Sequence, residues 1–180
     1  MLLDGLEGRI AMRPEEVELL REVCRESKSH LEIGTLWGGS AVLAAMAGPR
    51  VVTIDPMVGG YWENGDPGVE LHIPTADAIL SNFLSFNVAH KISVVKASSD
   101  PWPLPTDLMF DTALIDGDHS KEGCARDLRA VSRITRYDIM IHDYRDDSHE
   151  GVREAVDEFG GAWKKVDVVG TMALFRRVTW

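Results

Sequence analysis

Leu31-Glu32-Ile33-Gly34-Thr35-Leu36-Trp37-Gly38-Gly39-Ser40 is the stretch from which the rest of the chain is read. A short apolar run ends at a glycine. A glycine-rich turn then leads into small and apolar residues, 40–47, that Gly48-Pro49 brings to a stop. Strand, glycine turn and helix in that order open an α/β unit. Glycines let the backbone approach a ligand closely, and a helix N-terminus offers unpaired N–H groups to an anion. The spacing Gly-x-x-x-Gly-Gly is not GxGxxG, and the run lacks the lysine of a nucleoside-triphosphate loop. A plain tight turn is the competing reading.

Working outward, Arg13-Pro14-Glu15-Glu16 opens a helix, with proline in the first turn and acids at the positive end of the dipole. Val17, Leu20 and Cys24 follow at helical spacing. Residues 51–54 are a β-branched run and read as a buried strand. The stretch 56–74 is rich in Gly, Pro and Asp, and a loop of that length is expected to be functional or mobile. Thr75 caps a helix whose inner face is Ala76, Ile79, Leu80 and Phe83. Residues 91–95 form a strand, and the proline-rich 100–105 a loop in which Trp102 packs on the sheet edge. Residues 112–115 form a strand ending in Asp116. A helix near Ser120 turns Ala125, Leu128 and Val131 inward. Residues 137–141 lead to His142-Asp143, and Val152, Ala155, Val156 and Phe159 mark a further helix. Residues 163–169 and 171–178 close the chain as an antiparallel pair around Gly170. The alternation predicts one α/β domain over residues 1–180, with a mostly parallel sheet and helices on both faces. In such sheets ligands sit at the carboxyl ends of the strands.

Composition agrees with a globular chain: 180 residues, 44% hydrophobic, 27% charged. A net charge of −10 without a basic block disfavours nucleic acid as a partner. No apolar run approaches the ~20 residues of a membrane helix, and the N-terminus does not read as a signal peptide. Cys24 and Cys124 form neither a metal cage nor a disulfide framework and read as packing residues of a cytoplasmic protein.

Candidate chemistry gathers after the strands. Asp55 ends the second strand about 20 residues beyond Gly34, where an acid accepts hydrogen bonds from ribose hydroxyls. With the glycine turn it describes a site for an adenosine-containing ligand, NAD or S-adenosylmethionine. Asp116, His142 and Asp143 end two apolar strands. If those strands are neighbours, the side chains converge as ligands for Mg²⁺ or Ca²⁺ or, through the imidazole, for a transition metal; helix capping or solvent exposure is the alternative. Consecutive strand side chains point to opposite faces, so His142 and Asp143 both reach Asp116 only if the strand has turned. Two carboxylates held close without a cation would raise one pKa. His119 is the expected general base. His72, His90 and His149 stand in loop or helix-end contexts, with His90 at the surface and His72 able to line a pocket. Met57 and Trp62 either cover a ring of the ligand or pack on the body as lid residues.

The segment Leu31 to Ser40 resembles the first motif of class I S-adenosylmethionine-dependent methyltransferases. Ile115-Asp116-Gly117-Asp118-His119-Ser120 and His142-Asp143-Tyr144 resemble one branch of them, which holds small bacterial O-methyltransferases, macrocin-type sugar O-methyltransferases and cephalosporin-hydroxylase-like proteins. The resemblance spans about residues 14–177. It implies a Rossmann-like methyltransferase fold, a seven-stranded, mostly parallel sheet in the order 3-2-1-4-5-7-6. It implies S-adenosylmethionine as cofactor, with Glu32, Gly34 and Ser40 around its methionine part, Asp55 on the ribose, and Ala97 and Ser98 at the adenine. Asp116 borders both cofactor and metal. Asp116, His142 and Asp143 fall at the positions of metal ligands, and His119 at that of a base. Relatives present two oxygen side chains where this chain has His142-Asp143. The expected reaction is methyl transfer to a hydroxyl oxygen of a small molecule, with a divalent cation as a conditional aid. The alternatives are a non-catalytic cofactor-binding protein and an NAD-dependent oxidoreductase. A homodimer is a further expectation.

Overall fold

The computed structural model describes residues 10–57 and 74–178. Helix α1 (Pro14–Cys24) precedes β1 (Ser29–Ile33), α2 (Gly39–Ala47), β2 (Arg50–Asp55) and α3 (Ala76–Ser85). After a single 3-10 turn come β3 (Ile92–Lys96), β4 (Phe110–Ile115), α4 (Lys121–Ile134), β5 (Thr135–Ile141), α5 (Glu150–Glu158), β6 (Trp163–Val169) and β7 (Met172–Arg177). The seven strands form one sheet in the order β3-β2-β1-β4-β5-β7-β6. Strands β1 to β5 pair in parallel, and β7 runs antiparallel to both its neighbours. This is the expected methyltransferase topology. The reversed β7, inserted between β5 and β6, separates it from the six-stranded parallel order of dinucleotide-binding sheets.

Strand alternation divides the core. Leu31 and Ile33 of β1, Ala113 and Ile115 of β4 and Ile139 and Ile141 of β5 pack with Leu128, Val131, Val152 and Val156 of α4 and α5. Leu114 and Met140 point the other way, to Leu20 of α1, Leu43 of α2 and Phe83 of α3. All six residues of β4 are buried, as a central strand covered on both faces must be. Cys24 and Cys124 are free and buried. Trp102 packs against the α4–α5 side of the core.

On α3, Thr75 caps the helix by accepting from the Ala78 amide at 3.2 Å. The expected inner face holds for Ile79 and Phe83 but not for Ala76, which is exposed at the first turn, or for Leu80, which is 49% exposed. Asn82 is buried instead, donating through Nδ2 to the Trp37 carbonyl at 2.8 Å. The helix is thereby rotated to hold the glycine turn, and the polar group is satisfied, so its burial carries little cost. The segment 58–73, with Trp62 and His72, lies outside the described residues.

Candidate active site

The site is built on one row across the sheet. Ile33 pairs with Ile54 and with Ile115, and Ile115 with Ile141. The ladder runs one step past the strands: the Gly34 amide donates to the Ile54 carbonyl at 2.9 Å, Asp116 to Ile33 at 2.9 Å, and His142 to Ile115 at 3.0 Å. Gly34, Asp55, Asp116 and His142 therefore stand side by side at the carboxyl ends of four adjacent strands. Below them opens a cavity of about 1120 Å³, lined by the glycine turn on one side and by Asp116, His119, His142, Asp143 and His149 on the other.

Gly34 has φ +96°, and a Cβ there would overlap the Asp116 carbonyl oxygen. Only glycine brings these two strand ends so close. The Asp55 carboxylate holds the turn: Oδ2 accepts from the Thr35 and Leu36 amides at 2.8 and 3.2 Å, and Oδ1 from the Met57 amide at 2.6 Å. Leu36 and Met57 both have positive φ, 44° and 51°. Three hydrogen bonds to one ionised group offset a cost of ~1–3 kcal/mol at each such residue. Asp55 thus has a task within the protein that its sequence position alone did not disclose. Ser40 lines the cavity from the first turn of α2, and Ser98 from beyond β3; Ala97 contributes its amide to the Asp55 carbonyl at 3.1 Å.

Glu32 lies one layer beneath the row, fully buried, and neither carboxylate oxygen has a hydrogen-bond partner of good geometry. Burial raises its carboxyl to about 7, although the Ser40 and Thr53 hydroxyls beside it pull the other way.

Alternation sends His142 to the same face as Met140, toward α1, and there it meets Glu16. His142 Nε2 lies 3.2 Å from Glu16 Oε2, and Nδ1 lies 3.4 Å from Asp116 and 3.2 Å from Asp143. Asp143 would face the opposite side of the sheet, but its φ of 58° turns the chain and returns its carboxylate to the cluster. His119 Nε2 lies 3.5 Å from Asp116 Oδ1 and 3.2 Å from Asp143 Oδ2. The expectation of a raised carboxyl pKa is reversed. Burial pushes Asp116 up, but the charge of His142 and hydrogen bonds from His119 and His142 bring it down to about 2. Asp143 is lowered against its burial by His119 and His142. The two imidazoles stand between the carboxylates, so each acid faces a cation rather than the other acid. The Asp116 and Asp143 carboxylates facing His119 Nε2 raise its pKa to about 9, against its burial.

Two members were not anticipated. Glu16, 1% exposed, is fully satisfied: it accepts from the Arg13 amide at 2.7 Å, from the Thr171 amide at 2.6 Å and hydroxyl at 2.8 Å, and faces His142. An acid in a first helical turn reads as a cap, which it also is. His149, expected only in a loop or helix-end context, packs against His119 with ring centroids 4.2 Å apart and the rings tilted by 52°, and its Nδ1 lies 3.9 Å from Asp143. His90 is exposed, as expected. One ligand atom each from Asp116, His142 and Asp143, or from His119, Asp143 and His149, could meet a single metal ion, the atoms of each set lying within 4.8 Å of one another. These sets mix imidazole nitrogen with carboxylate oxygen, a donor chemistry that suits Mn²⁺, Fe²⁺ or Zn²⁺ better than Mg²⁺.

No family model matches the sequence. No curated protein matches it either. Among solved structures, cofactor-bound Rv0187 from MTB superposes with a TM-score of 0.70 at 23% identity, over 94% of this chain and 83% of that one. The O-methyltransferase TomG from Streptomyces achromogenes, in complex with SAM, gives 0.66 at 20% identity, over 94% and 82%. The O-methyltransferase from Bacillus cereus, in complex with SAH, gives 0.65 at 17% identity, over 98% and 87%. The fold is the Rossmann-like methyltransferase fold. Among the described residues no helix is long and apolar enough to cross a membrane.

Proposed function

We propose that the protein transfers the methyl group of S-adenosylmethionine to a hydroxyl oxygen of a small molecule. The observation that carries this reading is the shared cavity. The glycine turn and α2 N-terminus form one wall, and an acid–imidazole cluster able to handle a proton forms the other. The neighbours crystallised with SAM or SAH support the cofactor.

The free amides at the start of α2 suit the carboxylate of the methionine part. Glu32, whose carboxylate lacks a partner of good geometry, lies beneath this wall and does not itself line the cavity. The sulfonium methyl is already activated, so the protein's share is to hold an acceptor oxygen in line with it and to take its proton. His119 is the group placed for that proton, with the His149 ring packed against it. Asp116 and Asp143 favour the protonated form of His119, and neutralising them would favour the base form. The Asp116, His142 and Asp143 set would hold a divalent cation and leaves His119 free. When bound, it would act as a Lewis acid that lowers the pKa of a coordinated hydroxyl. His142 stays fixed by Glu16 throughout.

The test is direct. Purified protein titrated with S-adenosylhomocysteine in a calorimeter should bind it, and NAD should not compete. Labelled S-adenosylmethionine with a panel of sugars, phenols and polyketides, with and without Mn²⁺, should yield O-methyl product. Failure to bind the nucleoside would overturn the reading. Binding without transfer to any hydroxyl, together with methylation of an amine or thiol, would overturn its oxygen specificity.

A further inference from the structure

On α4, Arg126-Asp127 belongs to a charged stretch that the sequence presents as ordinary helix surface. The structure buries Asp127 instead: its side chain is 1% exposed, and it forms part of the cavity wall behind Gly117. Neither carboxylate oxygen has a hydrogen-bond partner of good geometry, with the Ser99 hydroxyl a side-chain donor acting on it. The nearest cationic atom, Arg126 Nε, stands 3.9 Å away, beyond hydrogen-bond reach, and is itself buried without a partner. The rest of that guanidinium is drawn outward, Nη1 to Asp100 at 3.7 Å and Nη2 to Asp118 at 3.5 Å. Burial pushes the Asp127 carboxyl up, although Ser99 and Arg126 pull it down. A buried acceptor and a buried donor side by side, both unmade, are costly unless a ligand completes them.

The ligand edge that completes them carries an N–H donor next to a ring acceptor. Adenine has that edge, its exocyclic amine flanked by ring nitrogens. Ser98 and Ser99 line the same end of the cavity, but a hydroxyl both donates and accepts and so does not tell an amine from a carbonyl. An ionised carboxylate only accepts. Resting on the cofactor reading above, we infer that Asp127, with Arg126 Nε beside it, reads the amine edge of the cofactor's adenine and makes the site selective for an adenine over a hypoxanthine nucleoside.

The experiment compares S-adenosylhomocysteine with S-inosylhomocysteine, in which a carbonyl replaces the amine, by calorimetry on the full chain and on Asp127→Asn and Asp127→Ala. The unaltered protein should prefer the adenine compound by at least about tenfold. Asp127→Asn should narrow that ratio, because its amide donates to the carbonyl. Asp127→Ala should weaken S-adenosylhomocysteine at least about tenfold while the ligand-free melting temperature holds or rises, since an unpaired buried charge is gone. An unchanged ratio in Asp127→Asn overturns the inference. So does an Asp127→Ala protein that melts lower yet binds the nucleoside as before, the outcome of a purely structural role. If the unaltered protein binds neither compound, the cofactor reading falls and this one with it. Binding of both with equal affinity removes this one alone.

Discussion

Replacing Glu16 by glutamine should destabilise the fold strongly at neutral pH and weakly in acid. Burial pushes the Glu16 carboxyl up, but hydrogen bonds from His142, the Arg13 amide and Thr171 more than offset this, and it titrates at about 2 instead of 4.5. A folded pKa below the unfolded one means that the unfolded chain binds the proton first. The stabilisation is therefore complete above about pH 4.5 and is lost as pH falls toward 2. At about 1.4 kcal/mol per pKa unit, the difference amounts to roughly 3 kcal/mol. Glu16→Gln keeps the shape and can still accept from Thr171, but it leaves the His142 imidazole without its buried counter-charge. For a chain of this length each kcal/mol is worth ~2–4 °C, so the melting temperature at pH 7 should drop by roughly 6–12 °C. Urea unfolding of both proteins at pH 7, 5 and 3.5 supplies the assay. The gap between midpoints should be full at pH 7 and 5 and smaller at pH 3.5. A gap of the same size at every pH, or none at pH 7, would refute the assignment of Glu16 as the ionised anchor of His142.

Gly34→Ala should yield little folded protein, because its Cβ would overlap backbone rather than a movable side chain; circular dichroism and yield in the soluble fraction check this. Asn82→Ala leaves the Trp37 carbonyl without its donor and should cost about 1–2 kcal/mol in a urea titration, with weaker S-adenosylhomocysteine binding because the turn is no longer held by α3. His30 is held neutral by burial, which lowers it from 6.5 to about 3. Its stabilisation is complete above pH 6.5 and is lost toward pH 3. His30→Leu should flatten the acid slope of stability between pH 6 and 4 by about 1.4 kcal/mol per pH unit, a result that equal slopes in the two proteins would contradict.

The sheet was legible because its strands are apolar, β-branched runs that end at glycine or acid, and because helices alternate with them. The placement of Asp116 and His142 was legible too, since neighbouring parallel strands in register bring their next residues together. What the chain hides is side-chain destiny at positions with two good explanations. Glu16 satisfies the rule for a helix N-terminus, so nothing in its neighbourhood announces a partner 126 residues away. Asn82 sits where the helical period calls for an outward polar residue, and Leu80 where it calls for an inward one. Only the Trp37 carbonyl decides between them. The turn at Asp143 depends on a left-handed φ that aspartate adopts without a sequence signature. The imidazoles between the carboxylates reversed the electrostatics expected from two acids alone.

Gly170 and Glu16 form a constraint on how this lineage can drift. Gly170 has φ +59°, and a Cβ there would overlap Glu16 Oε1. A change at 170 is therefore barred while the long carboxylate stays at 16. A change at 16 opens space beside 170 but leaves its positive φ, and it strands the Thr171 amide and the His142 imidazole. Neither position moves without loss, and a change at one does not release the other. In descendants the two should be kept together, and the N-terminal helix should be inherited with the β6–β7 turn even where the surface around both has diverged.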